Sequence, residues 1–377
     1  MQFRDLKKQY EVLKSRIDSA VTQVMADSNF ISGKQVTELE QALAEYVGVK
    51  HCITCANGTD ALSLALEAWN IGPGDAVFVP DFTFFASGET VAFEGATPVF
   101  VDILEDTFNM NPESLKKAVE VVKAEGKLTP KAVVTVDLFG QPADYDKILP
   151  IVRENNMLLL EDGAQGFGGD IRGKKACSFG DIATTSFFPA KPLGCYGDGG
   201  AIFTDNDEWA ALIKSLRIHG KGEDKYDNVR IGMNSRLDTI QAAILQVKFD
   251  AFKDYELADV NKVAECYTGK LKGIVKTPTV LNGFLSSWAQ YSILLKDASE
   301  RDGLQAFLKE RGIPSMIYYP KGMHRQKAFE GSDCVKTDLS VTDSVCNRVL
   351  ALPLHPYLDE ATQDSVAEAI KEFFAAR

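Results

Sequence analysis

The chain has 377 residues, 45% of them apolar, with 41 basic side chains against 53 acidic ones and a formal net charge of −12. That is enough apolar material for one large core and a smaller one. The acidic balance argues against non-specific nucleic-acid binding, which needs Lys and Arg on the phosphates, but leaves room for a small anionic ligand that responds to local charge.

The N-terminal stretch Met1–Val21 is charged and amphipathic. It lacks the apolar core and small-residue cleavage site of a secretory signal. No segment approaches the ~18 consecutive apolar residues of a membrane span. A cytoplasmic protein with no membrane partner is expected. Cys52 and Cys55 form a C-x-x-C inside the apolar run His51–Cys55, with no second pair at zinc spacing. Buried thiols acting as small hydrophobes are expected there, and no metal.

From Val47 to Asp205 short apolar runs alternate with helical stretches. The runs are Cys52–Cys55, Ala76–Pro80, Pro98–Asp102, Ala132–Leu138, Met157–Asp162, Ala183–Phe188 and Gly200–Thr204. Their lengths and their Gly, Pro or Asp boundaries suit strands buried on both faces, so an α/β fold with a mostly parallel central sheet flanked by helices is predicted. Asp60–Trp69 and Pro112–Ala124 read as helices between strands, Glu208–Ile218 and Leu237–Asp259 as helices after them. A smaller α+β unit is predicted beyond, with strands at Ala289–Leu295 and Ser315–Tyr319 and helices at Ala298–Arg311 and Asp359–Ala375. The expected division is 1–250 for the large domain and 251–377 for the small C-terminal one.

The P-loop-like Gly168–Lys174 fails, because Lys175 stands where a magnesium-binding Ser or Thr is needed. Three other segments converge. Ala56-Asn57-Gly58-Thr59-Asp60 turns from a strand into a helix at a hydroxyl residue, which gives either an anion site or a plain helix cap. Leu158–Gln165 ends a buried strand in Glu161 and Asp162, at the strand end where ligands of open α/β sheets sit. There a carboxylate can pair with a protonated ring nitrogen or merely cap a helix. Ser186–Gly194 sets Lys191 among aromatics, proline and glycine, where desolvation lowers an amine's pKa and makes it nucleophilic toward an aldehyde. Together they offer a phosphate seat, a partner for a pyridine nitrogen and a Schiff-base amine, the three needs of pyridoxal 5′-phosphate (PLP).

With Phe30–Gly33, Pro80–Phe84, Met233–Arg236, Gln241–Ala243 and Tyr318–Pro320 in the same order, the chain resembles the DegT/DnrJ/EryC1/StrS family of sugar aminotransferases, of PLP-dependent transferase fold type I. The resemblance implies that Lys191 holds PLP and shuttles the proton, and that Asp162 pairs with the ring nitrogen. Gln165 is then set to bond the ring's phenolic oxygen and Phe84 to stack on the ring, while Gly58, Thr59 and Ser186 hold the phosphate. It implies that Asn234 reaches the phosphate of the neighbouring subunit's cofactor, in a homodimer with shared active sites. On their own, Phe84 reads as a ring packed in the core and Asn234 and Arg236 as side chains turned to solvent. Arg236 is a candidate for an anionic substrate group, since guanidinium grips carboxylates and phosphates in a fork. Tyr318, Tyr319 and His324 are candidates for the sugar site.

A lysine rather than a histidine at 191 points to amino transfer rather than dehydration. Ser186–Gly200 and Asn234–Asp238 look like the subgroup that uses L-glutamate to aminate carbon 3 of UDP-2-acetamido-2-deoxy-3-oxo-glucuronate for bacterial surface polysaccharide. Tyr318 departs from it, standing where a His often precedes the Tyr-Pro pair. The alternatives are a 4-keto or other 3-keto nucleotide sugar, such as a dTDP sugar, or a non-catalytic protein of the same fold.

Overall fold

The seven apolar runs pair into one sheet in the computed structural model, which describes residues 1–224, 226–330, 335 and 337–375. The strands are β1 (His51–Cys55), β2 (Asp75–Pro80), β3 (Thr97–Val101), β4 (Thr129–Val136), β5 (Leu158–Asp162), β6 (Ile182–Ser186) and β7 (Gly200–Thr204). Their order is β1-β7-β6-β5-β4-β2-β3. β7 runs antiparallel to both neighbours, and the other pairs are parallel. Alternate side chains leave opposite faces: Val77, Val134 and Leu160 join one apolar layer, Phe78, Val133 and Leu159 the other. Both faces therefore need helices, which the parallel crossovers supply.

Two helices precede the sheet, α1 (Leu6–Asp27) and α2 (Lys34–Val47). Within it come α3 (Gly58–Ala68), α4 (Ala86–Phe93), α5 (Pro112–Glu125) and α6 (Tyr145–Glu154), and after β7 comes α7 (Asp207–Leu216). The stretch read as one helix at Leu237–Asp259 is α8 (Thr239–Ala251), a wide turn at Phe252–Glu256, and the start of α9 (Leu257–Leu271). Leu13 and Ile17 of α1 pack on Ile244 and Val247 of α8. Cys52 and Cys55 are buried in β1, and burial pushes the Cys55 thiol up to about 12.

Beyond α9, β8 (Tyr291–Leu294) pairs antiparallel with β9 (Val349–Leu352), among α10 (Ala298–Glu310), α11 (Ser340–Arg348) and α12 (Glu360–Ala375). The predicted strand Ser315–Tyr319 is corrected: only Met316 bridges to Ala351. Pro314 and Pro320 bracket the stretch and limit pairing, and Tyr318 and Tyr319 turn toward the cavity described below. The partner of β8 is β9, which the sequence reading passed over because it follows α11 without a Gly or Pro break. Tyr267, Tyr291, Leu304, Leu350 and Ile370 form an apolar core of this part. On that ground we propose the division into 1–250 and 251–377.

Candidate active site

The carboxyl ends of β5 and β6, the start of α3 and the Tyr318-Tyr319 pair enclose a cavity of about 410 Å³. From α3 it receives Gly58 and Thr59, from the loop after β2 Phe84, and from β5 and its turn Asp162 and Gln165. Ser186 and Lys191 enter from β6 and the following loop. Nine residues singled out in the sequence thus meet in one place, although they span positions 58 to 319.

The start of α3 is closely fitted. Asn57, not Thr59, caps the helix, its Oδ1 accepting the Asp60 amide at 2.8 Å. Thr59 lines the cavity instead. A Cβ on Gly58 would lie 2.7 Å from Ser186 Cβ, so glycine lets α3 approach β6. Gly58→Ala is expected to destabilise the fold by roughly 1–3 kcal/mol, as overpacking does, and to displace Ser186. Thermal melting together with cofactor titration checks it.

Asp162 is buried at the end of β5. Ser87 Oγ donates to its Oδ2 at 2.9 Å and the Ala164 amide to its Oδ1 at 3.1 Å. Burial pushes this carboxyl above the usual range; the Ser87 bond, the Ala164 amide and the Lys191 charge pull it back. Gln165 Oε1 accepts the Phe139 amide at 2.8 Å and its Nε2 contacts the Tyr319 hydroxyl at 3.0 Å. The amide thereby fixes Tyr319 against the large sheet. Phe84 is 54% exposed, so the core-packing reading is wrong for it.

Lys191 sits in a tight loop. Its amide donates to the Phe188 carbonyl at 2.8 Å, and Cys195 closes back on Phe187 at 2.8 Å. Gln241 of α8 braces the loop through both sides of its amide, accepting from the Tyr196 N–H at 2.8 Å and donating to the Tyr196 carbonyl at 3.2 Å. Burial lowers the Lys191 amine below its ordinary value, Asp162 opposes this, and Arg4 adds to it. Sequence reasoning missed Arg4, Ser87, Asp198 and Gln290. Asp198 and Gln290 also line the cavity, and Gln290 Oε1 is buried with no hydrogen-bond partner among the described residues.

Three expected residues lie elsewhere in this chain. Asn234 is exposed and bridges to Ile218. Arg236 lines a separate open cleft of about 920 Å³ with Ser32, Lys221 and Ile231. Neither reaches the Lys191 cavity of its own protomer. The assignment of His324 to the sugar site is corrected. Its Nδ1 lies 2.6 Å from Asp81, whose carboxylate also accepts the His324 amide at 2.8 Å, and its Nε2 lies 3.5 Å from Asp343. Asp81 is fully buried at the end of β2, and this contact clasps the loop after Tyr319 to the large sheet.

The Asp81 hydrogen bond raises the His324 pKa, and burial raises that of Asp81 despite the pairing. Both groups bind protons more tightly folded than unfolded. Their linked stability is therefore full on the acid side and is lost as pH rises through the raised His324 value. His324→Ala is expected to lower stability by about 1–3 kcal/mol, by leaving the buried Asp81 Oδ2 without its imidazole partner while the backbone amide stays on Oδ1. The gap in Tm from the unaltered protein should shrink as pH rises, which melting curves across pH would reveal.

Among the described residues no cluster of three or more His, Cys, Asp or Glu could hold a metal, and no helix is long and apolar enough to cross a membrane. A desolvated amine and a buried carboxylate thus line one cavity at the carboxyl edge of this α/β sheet, where a carbonyl-bearing cofactor could be held. The chain belongs to the DegT/DnrJ/EryC1/StrS aminotransferase family, whose profile matches residues 11–371. It is 43% identical over 373 residues to the UDP-2-acetamido-2-deoxy-3-oxo-D-glucuronate aminotransferase of Pseudomonas aeruginosa, covering 98% of this chain and 99% of that one. A solved DegT/DnrJ/EryC1/StrS aminotransferase from Brucella abortus superimposes with a TM-score of 0.96 at 48% identity, covering 99% of each chain. S. venezuelae DesV, solved with a ketimine intermediate, gives 0.93 at 32% identity, covering 100% of this chain and 98% of that one.

Proposed function

We propose that this enzyme moves an amino group from L-glutamate to a nucleotide-linked keto sugar, with carbon 3 of UDP-2-acetamido-2-deoxy-3-oxo-glucuronate as the acceptor, for bacterial surface polysaccharide made from the cytoplasmic side. The observation that carries the reading is the placement of Lys191 and Asp162 in one cavity of a family aminotransferase. The 43% identity across almost the whole chain supports the particular acceptor.

Aminotransferases of this family work with PLP, which when bound supplies an aldehyde to carry the amino group and a ring to take up electron density. The residues fit it. Lys191 Nζ would hold the aldehyde carbon, and Asp162 would keep a proton on the ring nitrogen through its negative charge. The α3 N-terminus with Thr59 and Ser186 offers donors to a phosphate. Phe84 presents a ring face, and the second N–H of Gln165 can reach a ring oxygen. Lys191 Nζ would also take and return a proton within the cavity. Tyr318 and Tyr319 wall the sugar side.

Asn234 and Arg236 would serve a second copy of the chain in a homodimer. Ile231, 90% exposed, and Val229, 53% exposed, line the Arg236 cleft and supply apolar surface for such contact. Sedimentation should give twice the chain mass, and mixing Lys191→Ala with Asn234→Ala protomers should recover part of the activity that each lacks alone. The acceptor is tested by mass spectrometry of nitrogen-15 transfer from labelled glutamate. Label in the 3-amino UDP-glucuronate product supports the proposal. Label only in a 4-amino or dTDP sugar replaces the acceptor, and no label in any sugar overturns the function.

A further inference from the structure

We infer that Arg4 is a positioning residue for Lys191, with the N-terminal segment Met1–Asp5 acting as a strap that holds the lysine loop against the wall of the site. Arg4 Nη2 donates to the Lys191 carbonyl at 2.8 Å across 187 residues of sequence. On one side of it the Phe3 carbonyl accepts the Leu354 amide at 3.2 Å, and the Phe3 ring meets Tyr318 edge-on at 6.2 Å. On the other, Asp5 caps α1 by accepting the Lys8 amide at 2.8 Å. The strap thus ties together the lysine loop, the cavity wall and the segment after β9.

A guanidinium on a carbonyl makes a charge-assisted bond that is stronger and more directional than a neutral one. Burial lowers the Arg4 pKa to about 10, and Glu256 opposes this. Glu256 is itself held by Gln9 at 2.8 Å and by the Tyr357 hydroxyl at 2.5 Å. Arg4 therefore stays charged at neutral pH, and its charge discourages protonation of Lys191. A neutral amine is the form that attacks a carbonyl. The same side chain fixes the backbone of the nucleophile and biases its protonation.

The groups facing Lys191 are Asp162 from β5, Asp198 from the loop before β7, Tyr318 and Tyr319, and Arg4 itself. Behind Arg4 stand Asp5, Glu256, Lys248 and His355. With Arg4 neutralised, the remaining carboxylates favour a charged lysine, so the sign of the effect is fixed.

The inference rests on the role proposed for Lys191, but its test reads the amine itself. The rate at which Lys191 of the cofactor-free, full-length chain is acetylated by acetic anhydride would be followed against pH by peptide mass spectrometry. Arg4→Gln should move the profile to higher pH by about half a unit to one unit, and Arg4→Lys, which keeps the charge, should return it. A folded Arg4→Gln protein with an unshifted profile overturns the inference. If that variant does not fold, a chain lacking residues 1–4 removes the guanidinium without burying a substitute, and an unshifted profile there overturns it equally. A wrong functional assignment would leave this shift intact, and a wrong role for Arg4 would leave amino transfer intact.

Discussion

Lys191→Ala is expected to lower kcat by about ten-thousand-fold or more, while the protein still folds and still binds cofactor weakly. Positioned proton transfer alone contributes about 10²–10⁴-fold, and the same amine also makes the covalent attachment. The cavity offers no substitute in place. Arg4 holds the Lys191 carbonyl rather than the ligand, and Lys248, though lowered to about 8 by burial, stands over the Tyr196 ring on the other side of the loop. Stability should change little, because the lysine is a desolvated amine and its removal relieves that burden. A variant that kept even a tenth of wild-type turnover would remove Lys191 from the chemistry. Single-turnover kinetics with glutamate would show this without any sugar.

Asp162→Asn separates charge from shape. Asparagine keeps the size of the side chain and can still accept from Ser87, but it cannot hold a proton on a ring nitrogen by electrostatic attraction. A fall of about 10²–10⁴-fold in kcat is expected, the range for losing control of one proton in a reaction. Stability should be unchanged or higher. Burial pushes the Asp162 carboxyl up, and a neutral amide of similar volume removes the cost of keeping a charge buried there. The variant should therefore melt at or above the wild-type Tm while being nearly inactive. A lower Tm with activity retained would make Asp162 a structural residue.

The sheet was legible because its strands announce themselves. Leu158–Asp162 and Gly200–Thr204 are apolar on both faces and bounded by turn residues, a pattern imposed by helices on either side. Lys191 was legible for a related reason: Pro189, Pro192 and Gly194 mark a loop that cannot be a surface helix. The partners were not legible, because topology rather than spacing brings them together. His324 meets Asp81 across 243 residues and Gln165 meets Tyr319 across 154. A histidine four residues after Pro320 reads from sequence as a sugar contact, and only the fold shows that a buried carboxylate claims it. β9 gives no boundary signal because Val349–Leu352 continues directly from α11, and Ser315–Tyr319 reads as a strand because its residues favour β although two prolines bracket them. Asn234 and Arg236 stand apart from the cavity of their own chain, and the proposed homodimer would give them a partner's site to serve.

Amino transfer through Lys191 is best probed by the visible absorbance of the purified protein reconstituted with PLP, recorded before and after L-glutamate and then after UDP-2-acetamido-2-deoxy-3-oxo-glucuronate. It predicts a visible band that is absent in Lys191→Ala, bleached by glutamate, and restored by the keto sugar. A protein that forms no band with PLP, or a band that glutamate leaves unchanged, would contradict it.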